Sequence, residues 1–448
     1  MRLWQTPRVS DVFREVYQRF DPEGAPRRLE WRAARPRSPA SEILKRLELE
    51  IGQGRFLVVG TVGTGKSTEL LRIAEGRANR SFVVQLDLVQ HFDRVVGDLG
   101  ALQRVSGWEV VFLAALAVAR AARERLGFEF VDGALADLAS AWKRAAGKSQ
   151  VPDIAQAETD LPKLAKSMVI LASSAVGGTA AAAAADTLLA PLDTVDVKWR
   201  LPVGRAKKAL DDQAVEVQTL LQAANVLIND IQHQLGRTVL LVLDGLDRIE
   251  SREDAHALFG DSAILAHVQC NSVICAPFVL RHDTRLATVR GFEVKILVNE
   301  PVLAQDDPAR PGPGVDFMLD VFRRRTADLR APIGDALVRE LAYRSGGRLR
   351  DFVKLMRELA GQVLLREGEA ASAEDLEAAL REQRLLLEAG LNTEHLRALR
   401  EVMTDPRHRL PPGTIGYELL RTNRLLPYPD GSEWYYPHAL LLKGDLLE

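Results

Sequence analysis

A chain of 448 residues with 47% apolar side chains is too long for one compact core and long enough for roughly two to four domains. Its 59 basic and 61 acidic side chains leave a formal net charge of −2. That balance excludes a protein that coats nucleic acid by bulk charge, while leaving room for a local basic patch. Cys270 and Cys275 match neither a disulfide framework nor a zinc pattern, so they read as buried free thiols of a reducing compartment. The first residues lack the apolar core of a signal peptide, and the cytoplasm is the expected location.

In chain order, residues 1–50 form an Arg- and Pro-rich lead-in, with a helix predicted near Val9–Phe20 and another over Ser41–Leu49. Five apolar runs follow as strands of a buried parallel sheet: Phe56–Val59, Phe82–Leu86, Val239–Leu243, Ser272–Ala276 and Phe292–Val298. Helical patterns between them make this an α/β domain. About 150 residues separate the second and third runs and must carry structure of their own. Within them Trp108–Leu126, Ala134–Ala146 and Arg205–Leu235 read as helices. Ser167–Ala185 is uncharged over 19 residues, with Gly177-Gly178 and six consecutive alanines. Three readings stay open for it: a buried or self-associating hairpin, a conditional membrane or oligomer contact, and a membrane span. Val195–Leu201 alternates like a strand. After Pro313 the chain is helix-rich to about Leu391. Thr414–Leu426 and the aromatic hairpin Tyr428–Tyr436, turned at Asp430-Gly431, then outline a winged helix. Arg421 and Arg424 on this module are placed to contact phosphate, whereas Arg323-Arg324-Arg325 reads as a solvated face.

Gly60-Thr-Val-Gly-Thr-Gly-Lys-Ser67 fits G-x-x-x-x-G-K-[ST] at every fixed position, after a strand and before the helical Glu69–Glu75. Glycines there let backbone N–H groups cradle phosphates, and the helix N-terminus adds donors and a favourable dipole. The predicted contacts come from Gly60, Thr61, Gly63, Thr64, Gly65, Lys66, Ser67 and Thr68. Lys66 reaches the β- and γ-phosphates and Ser67 ligates Mg²⁺. The cofactors are therefore ATP and Mg²⁺. Val239–Leu243 ends in Asp244-Gly-Leu-Asp247. Asp244 stands at the strand tip, where open α/β sheets bind ligands, and is placed to hold Mg²⁺ through water. Asp247 is placed to polarise the attacking water. Read alone, the same residues are a strand closed by an Asp-Gly turn.

The pairing of these two motifs resembles the STAND class of P-loop ATPases, including its NACHT branch, within the AAA+ superfamily. Two departures stand out: Gly245 replaces the glutamate that usually follows the metal-side Asp, and Arg248 stands where NACHT proteins have another acid. The resemblance makes Arg281, after the fourth strand run, a γ-phosphate sensor; a solvated loop charge is the alternative. It also makes Ser345-Gly346-Gly347-Arg348-Leu349-Arg350 the second sensor at a helix start, with Arg350 in register and Arg348 as the alternate. The resemblance covers about 51–90 and 237–390 and not the insert; with the patterns above, the expected architecture is a P-loop ATPase domain over 51–312 with an insert at about 95–236, a helical lid over 313–391 and a winged-helix-like module over 392–448.

What it implies for function is a slow ATPase serving as a nucleotide-controlled switch in signalling or antiphage defence. The expected partners are further copies of the chain in an ATP-dependent homo-oligomer and a protein effector. DNA remains a partner under a second reading, that of a transposition or replication loader. A membrane-associated ATPase using the apolar insert is a third.

Overall fold

The computed structural model describes residues 9–23, 28–49, 52–130, 133–151, 170–171, 203–282, 289–430, 432–443 and 446–447. The chain divides into two compact units, Pro39–Gly60 with Glu69–Ile296, and Met1–Ser38 with Thr61–Thr68 and Leu297–Glu448.

The first unit is built on a sheet of β1 (Arg55–Val59), β2 (Phe82–Asp87), β3 (Ile170–Leu171), β4 (Val239–Asp244), β5 (Asn271–Ala276) and β6 (Glu293–Ile296), in the order β3-β2-β4-β5-β1-β6. The five predicted runs form the parallel part, and β1, β2, β4 and β5 are buried almost throughout. Continuous apolar runs, rather than alternating ones, are what strands covered on both faces require. β6 is an edge and half-exposed. Its Lys295 pairs with Glu42 and Glu293, a charged edge of the kind that resists further strand pairing. Pro277 falls just beyond β5, so it interrupts no ladder bond.

The sixth strand was not legible in the sequence. β3 pairs antiparallel with β2 (Gln85 opposite Leu171) and comes from inside the apolar segment Ser167–Ala185. The rest of that segment, and Val195–Leu201, lie outside the described residues. Among the described residues no helix is long and apolar enough to cross a membrane.

The insert packs the helix Val215–Leu235 against both Gly107–Leu126 and Ala134–Lys148. Gly107–Leu126 opens with a Ser106/Glu109 capping box and stays buried from Gly107 to Ala122. The helix expected from Arg205 begins only at Val215, because the preceding groups are engaged elsewhere. The Lys207 and Lys208 amides donate to the Ser149 carbonyl, and the Asp212 carboxylate accepts from Ser262 Oγ and the Ala263 amide.

His91, just after β2, is fully buried, and neither ring nitrogen has a hydrogen-bond partner. Burial pushes its pKa down to about 4. The folded chain thus keeps this imidazole neutral, while the unfolded chain protonates it below about pH 6.5. The associated stability is complete above that pH, is lost as pH falls toward 4 and is level below, by about 3 kcal/mol in all. His91→Phe is expected to remove that slope in denaturant titrations between pH 7 and 4; an unchanged slope contradicts the assignment.

The second unit has one apolar core shared by Val9–Arg19, Gly314–Thr326, Asp335–Arg344, Leu349–Leu365, Ala373–Glu388 and the hairpin of β7 (Leu425–Asp430) and β8 (Ser432–Pro437). Leu349–Leu365 buries Phe352, Val353, Leu355, Met356 and Leu359, the stripe expected of its amphipathic pattern. Val9–Arg19 packs on it through Phe13 and Val16. Phe20 and Ala33 join the same core, whereas the lead-in from Pro39 onward belongs to the sheet unit. Ser372 caps Ala373–Glu388 in a capping box with Asp375. Tyr428 stacks on Trp434 at 4.7 Å inside the same core.

The basic run is a correction to the sequence reading. Arg323 and Arg324 are exposed and paired with Asp335 and Asp320, but Arg325 is 3% exposed. Its guanidinium lies over Phe20 at 5.1 Å and donates to the Arg19 carbonyl, while Arg19 donates to the Arg325 carbonyl. Burial pulls the Arg325 guanidinium down to about 10.

Candidate functional site

β1 leads through Gly60 into the loop that precedes the helix Lys66–Arg77. Gly63 and Gly65 have φ of +95° and +100°, in the left-handed region that favours glycine. The carbonyls of this loop are engaged one after another. Thr61 O accepts from Thr64 Oγ1 and from Lys66 Nζ, each at 2.9 Å. Val62 O accepts from Arg348 Nη2 at 2.7 Å, and Gly63 O from the Arg350 amide at 3.0 Å. Thr64 O accepts from Arg35 Nη1 at 2.8 Å and Gly65 O from the Thr68 amide at 3.0 Å. In a trans peptide N–H points opposite to C=O, so the amides of Gly63 and Gly65 face away from these donors.

Space is tight on the carbonyl side. A Cβ on Gly63 would sit 3.0 Å from Arg348 Nη2 and 3.1 Å from Arg350 Cβ. The Lys66 ammonium is buried against the loop, at 4% exposure, and Thr61 Oγ1 is buried with no hydrogen-bond partner. A cradle of inward amides, a buried cation and an orphaned hydroxyl together fit an anion with several acceptor oxygens.

Arg348 and Arg350 divide the work at the start of Leu349–Leu365. Arg350 holds the loop by its backbone N–H and its side chain is half-buried. Arg348, 6% exposed, holds it by its guanidinium and pairs with Asp351. Arg35 was missed in the sequence because it sits in a Pro-rich stretch with no motif. It is 8% exposed, pairs with Glu300, donates to Val298 O at 3.2 Å and grips the loop at Thr64.

In the sheet unit, Asp244 ends β4 at 8% exposure and accepts from the Gly245 amide at 2.8 Å. Gly245 has φ +99°, and a Cβ there would stand 2.8 Å from the Val89 amide nitrogen. Local packing therefore demands glycine at position 245. Asp247 follows on the short turn Leu246–Arg248. Asp87, the last residue of β2, lies opposite Asp244 in the ladder and caps the next turn through the Gln90 amide at 3.0 Å. Burial raises the Asp87 pKa, and the charge of Asp247 adds to that. Sequence reading ended this strand at Leu86 and so missed Asp87, although an acid after an apolar run is the signal that found Asp244. Arg281 stands on the turn Phe278–His282 beyond β5.

Arg424 is committed elsewhere. Its Nε donates to Leu387 O at 2.8 Å and Nη2 to Ala389 O, closing the C-terminal end of Ala373–Glu388. Arg421 is exposed at the end of the helix Gly413–Arg421. Both cysteines are buried and neither is in a disulfide, as expected, and burial pushes the Cys270 thiol up to about 12. Among the described residues no His, Cys, Asp or Glu cluster could hold a metal by itself.

Five parallel strands in this order, with a phosphate loop after β1 and an acid at the tip of β4, are an α/β P-loop NTPase fold. No family model matches the sequence, and no curated protein matches it significantly. Solved structures give loose similarity. The Aeropyrum pernix ORC2 protein with ADPNP and ADP has 12% identity and a TM-score of 0.41, covering 95% of this chain and 94% of that one. Drosophila ORC bound to DNA has 10% identity and a TM-score of 0.40, covering 98% and 92%. The Thermotoga maritima RuvB branch migration motor has 13% identity and a TM-score of 0.25, covering 47% and 78%.

Proposed function

We propose that this chain is an AAA+-like ATPase that works as a nucleotide-controlled switch, of the STAND type in its slow turnover. Lys66 serves the β- and γ-phosphates, Ser67 and Asp244 serve Mg²⁺, and Asp247 orients the attacking water. Magnesium supplies charge neutralisation at the β- and γ-oxygens when bound. Arg348, Arg350 and Arg281 are the arginines assigned to sensing the nucleotide.

The observation that carries the switch reading is the grip of Arg348 and Arg350 on consecutive carbonyls of the phosphate loop. A helix whose first turn holds that loop shifts with any change in loop geometry, and interactions that differ between nucleotide states are what move such an equilibrium. Absence of glutamate at position 245 supports slow hydrolysis, since the strongest candidate general base is missing.

The test is Asp247→Asn. Turnover under saturating ATP is expected to fall at least about 10-fold while ATP affinity changes less than about 3-fold. Equal losses in both would make Asp247 structural. The exposed Arg421 beside the C-terminal hairpin favours, as a second reading, a DNA-associated ATPase. Tight duplex binding that needs ATP and weakens steeply with salt would select it over the signalling switch.

A further inference from the structure

We propose that Asp351 and His438 are positioning residues for the phosphate loop: they hold the Arg348 guanidinium on the Val62 carbonyl, so the segment after β8 controls nucleotide affinity at a distance. This rests on the nucleotide-binding reading above.

The chain of contacts is continuous. Arg348 Nη2 donates to Val62 O at 2.7 Å, and Nη1 pairs with the Asp351 carboxylate. The same carboxylate oxygen, Oδ2, lies 3.0 Å from His438 Nε2. His438 Nδ1 accepts from the Leu440 amide at 3.2 Å, which fixes the tautomer: the proton is on Nε2 and is donated to Asp351. His438 is completely buried, and its own amide donates to Arg424 O at 2.9 Å. Arg424 in turn closes the helix Ala373–Glu388, so His438 is anchored to rigid structure.

Charges around this relay agree with its geometry. Burial pushes the Asp351 carboxyl up, but Arg348, the His438 hydrogen bond and Lys354 outweigh it and hold the group at about 2. Burial keeps His438 low despite Asp351, so a neutral imidazole faces an ionised carboxylate. Arg348 Nε is buried without a partner. The pose of this guanidinium therefore depends on its two terminal nitrogens, one on Asp351 and one on the loop. A buried arginine that loses its carboxylate partner must find another arrangement, and the loop carbonyl loses its donor with it.

The experiment is a double-mutant cycle in the full chain, read by ATP affinity. His438→Leu is expected to weaken ATP about 10-fold, and His438→Gln, which keeps a donor near the Nε2 position, less than about 3-fold. In an Arg348→Ala background His438→Leu is expected to add less than about 2-fold. Full additivity, or equal losses in His438→Leu and His438→Gln, overturns the relay and leaves His438 a packing residue. Asp351→Asn replaces His438→Leu in the cycle if the latter does not fold.

A nucleotide-free readout separates this proposal from the one beneath it. Amide exchange at Gly63–Lys66 is expected to speed up about 10-fold in His438→Leu without any ligand. Unchanged exchange overturns the relay. If the wild-type chain binds no ATP but the exchange effect is present, the nucleotide reading fails and the relay stands.

Discussion

Lys66→Ala is expected to weaken ATP binding at least about 100-fold and to remove turnover. Lys66 is the first residue of the helix Lys66–Arg77, and its ammonium is folded onto Thr61 O inside the loop at 4% exposure. A cation held that close to the loop backbone meets the phosphates without a large search of rotamers. Alanine removes the charge but suits a helix start, and Thr61 O keeps its bond from Thr64 Oγ1. The variant is therefore expected to fold, and the loss will appear in the binding isotherm rather than in the melting curve. Undiminished ATPase activity in purified Lys66→Ala protein would defeat the site assignment.

Gly347→Ala is expected to be the most damaging single methyl in the second unit, at about 3 kcal/mol or more. Gly347 has φ +76°, and a Cβ there would stand 1.9 Å from the Glu300 carbonyl oxygen and 2.9 Å from its carbon. The contact cannot relax easily, because the Glu300 amide donates to Gly347 O at 3.0 Å and ties the two backbones together. Glu300 also pairs with Arg35, so the strain reaches a residue that grips the loop. Loss of ATP affinity should accompany the loss in urea midpoint. A variant as stable as the wild type would show that Gly347 is glycine for another reason.

Much of this molecule was legible because its signals are local. Buried parallel strands show as apolar runs, and the phosphate loop shows as glycines at fixed spacing before Lys66 and Ser67. The parts that were missed depend on distant partners. Arg35 acquires its role from Thr64 and Glu300, and Arg325 is buried by Phe20 and Arg19, none of which a helical-face argument can supply. β3 has only two residues and is fixed by its partner β2, so composition could not place it. Asp87 was within reach, since it ends β2 as Asp244 ends β4. The motif at 345–350 placed two arginines in view, and only the fold distinguishes their uses: Arg348 holds the loop by its side chain, Arg350 by its backbone.

The proposed function stands or falls on whether the loop from Gly60 to Thr68 binds a nucleoside triphosphate with magnesium. Titration of the purified full chain with ATP, with and without Mg²⁺, tests it most directly. Saturable binding of about one ATP per chain is expected, with a Kd in roughly the micromolar range, strengthened by Mg²⁺ and competed by ADP. A folded wild-type chain that shows no binding at millimolar ATP would contradict it.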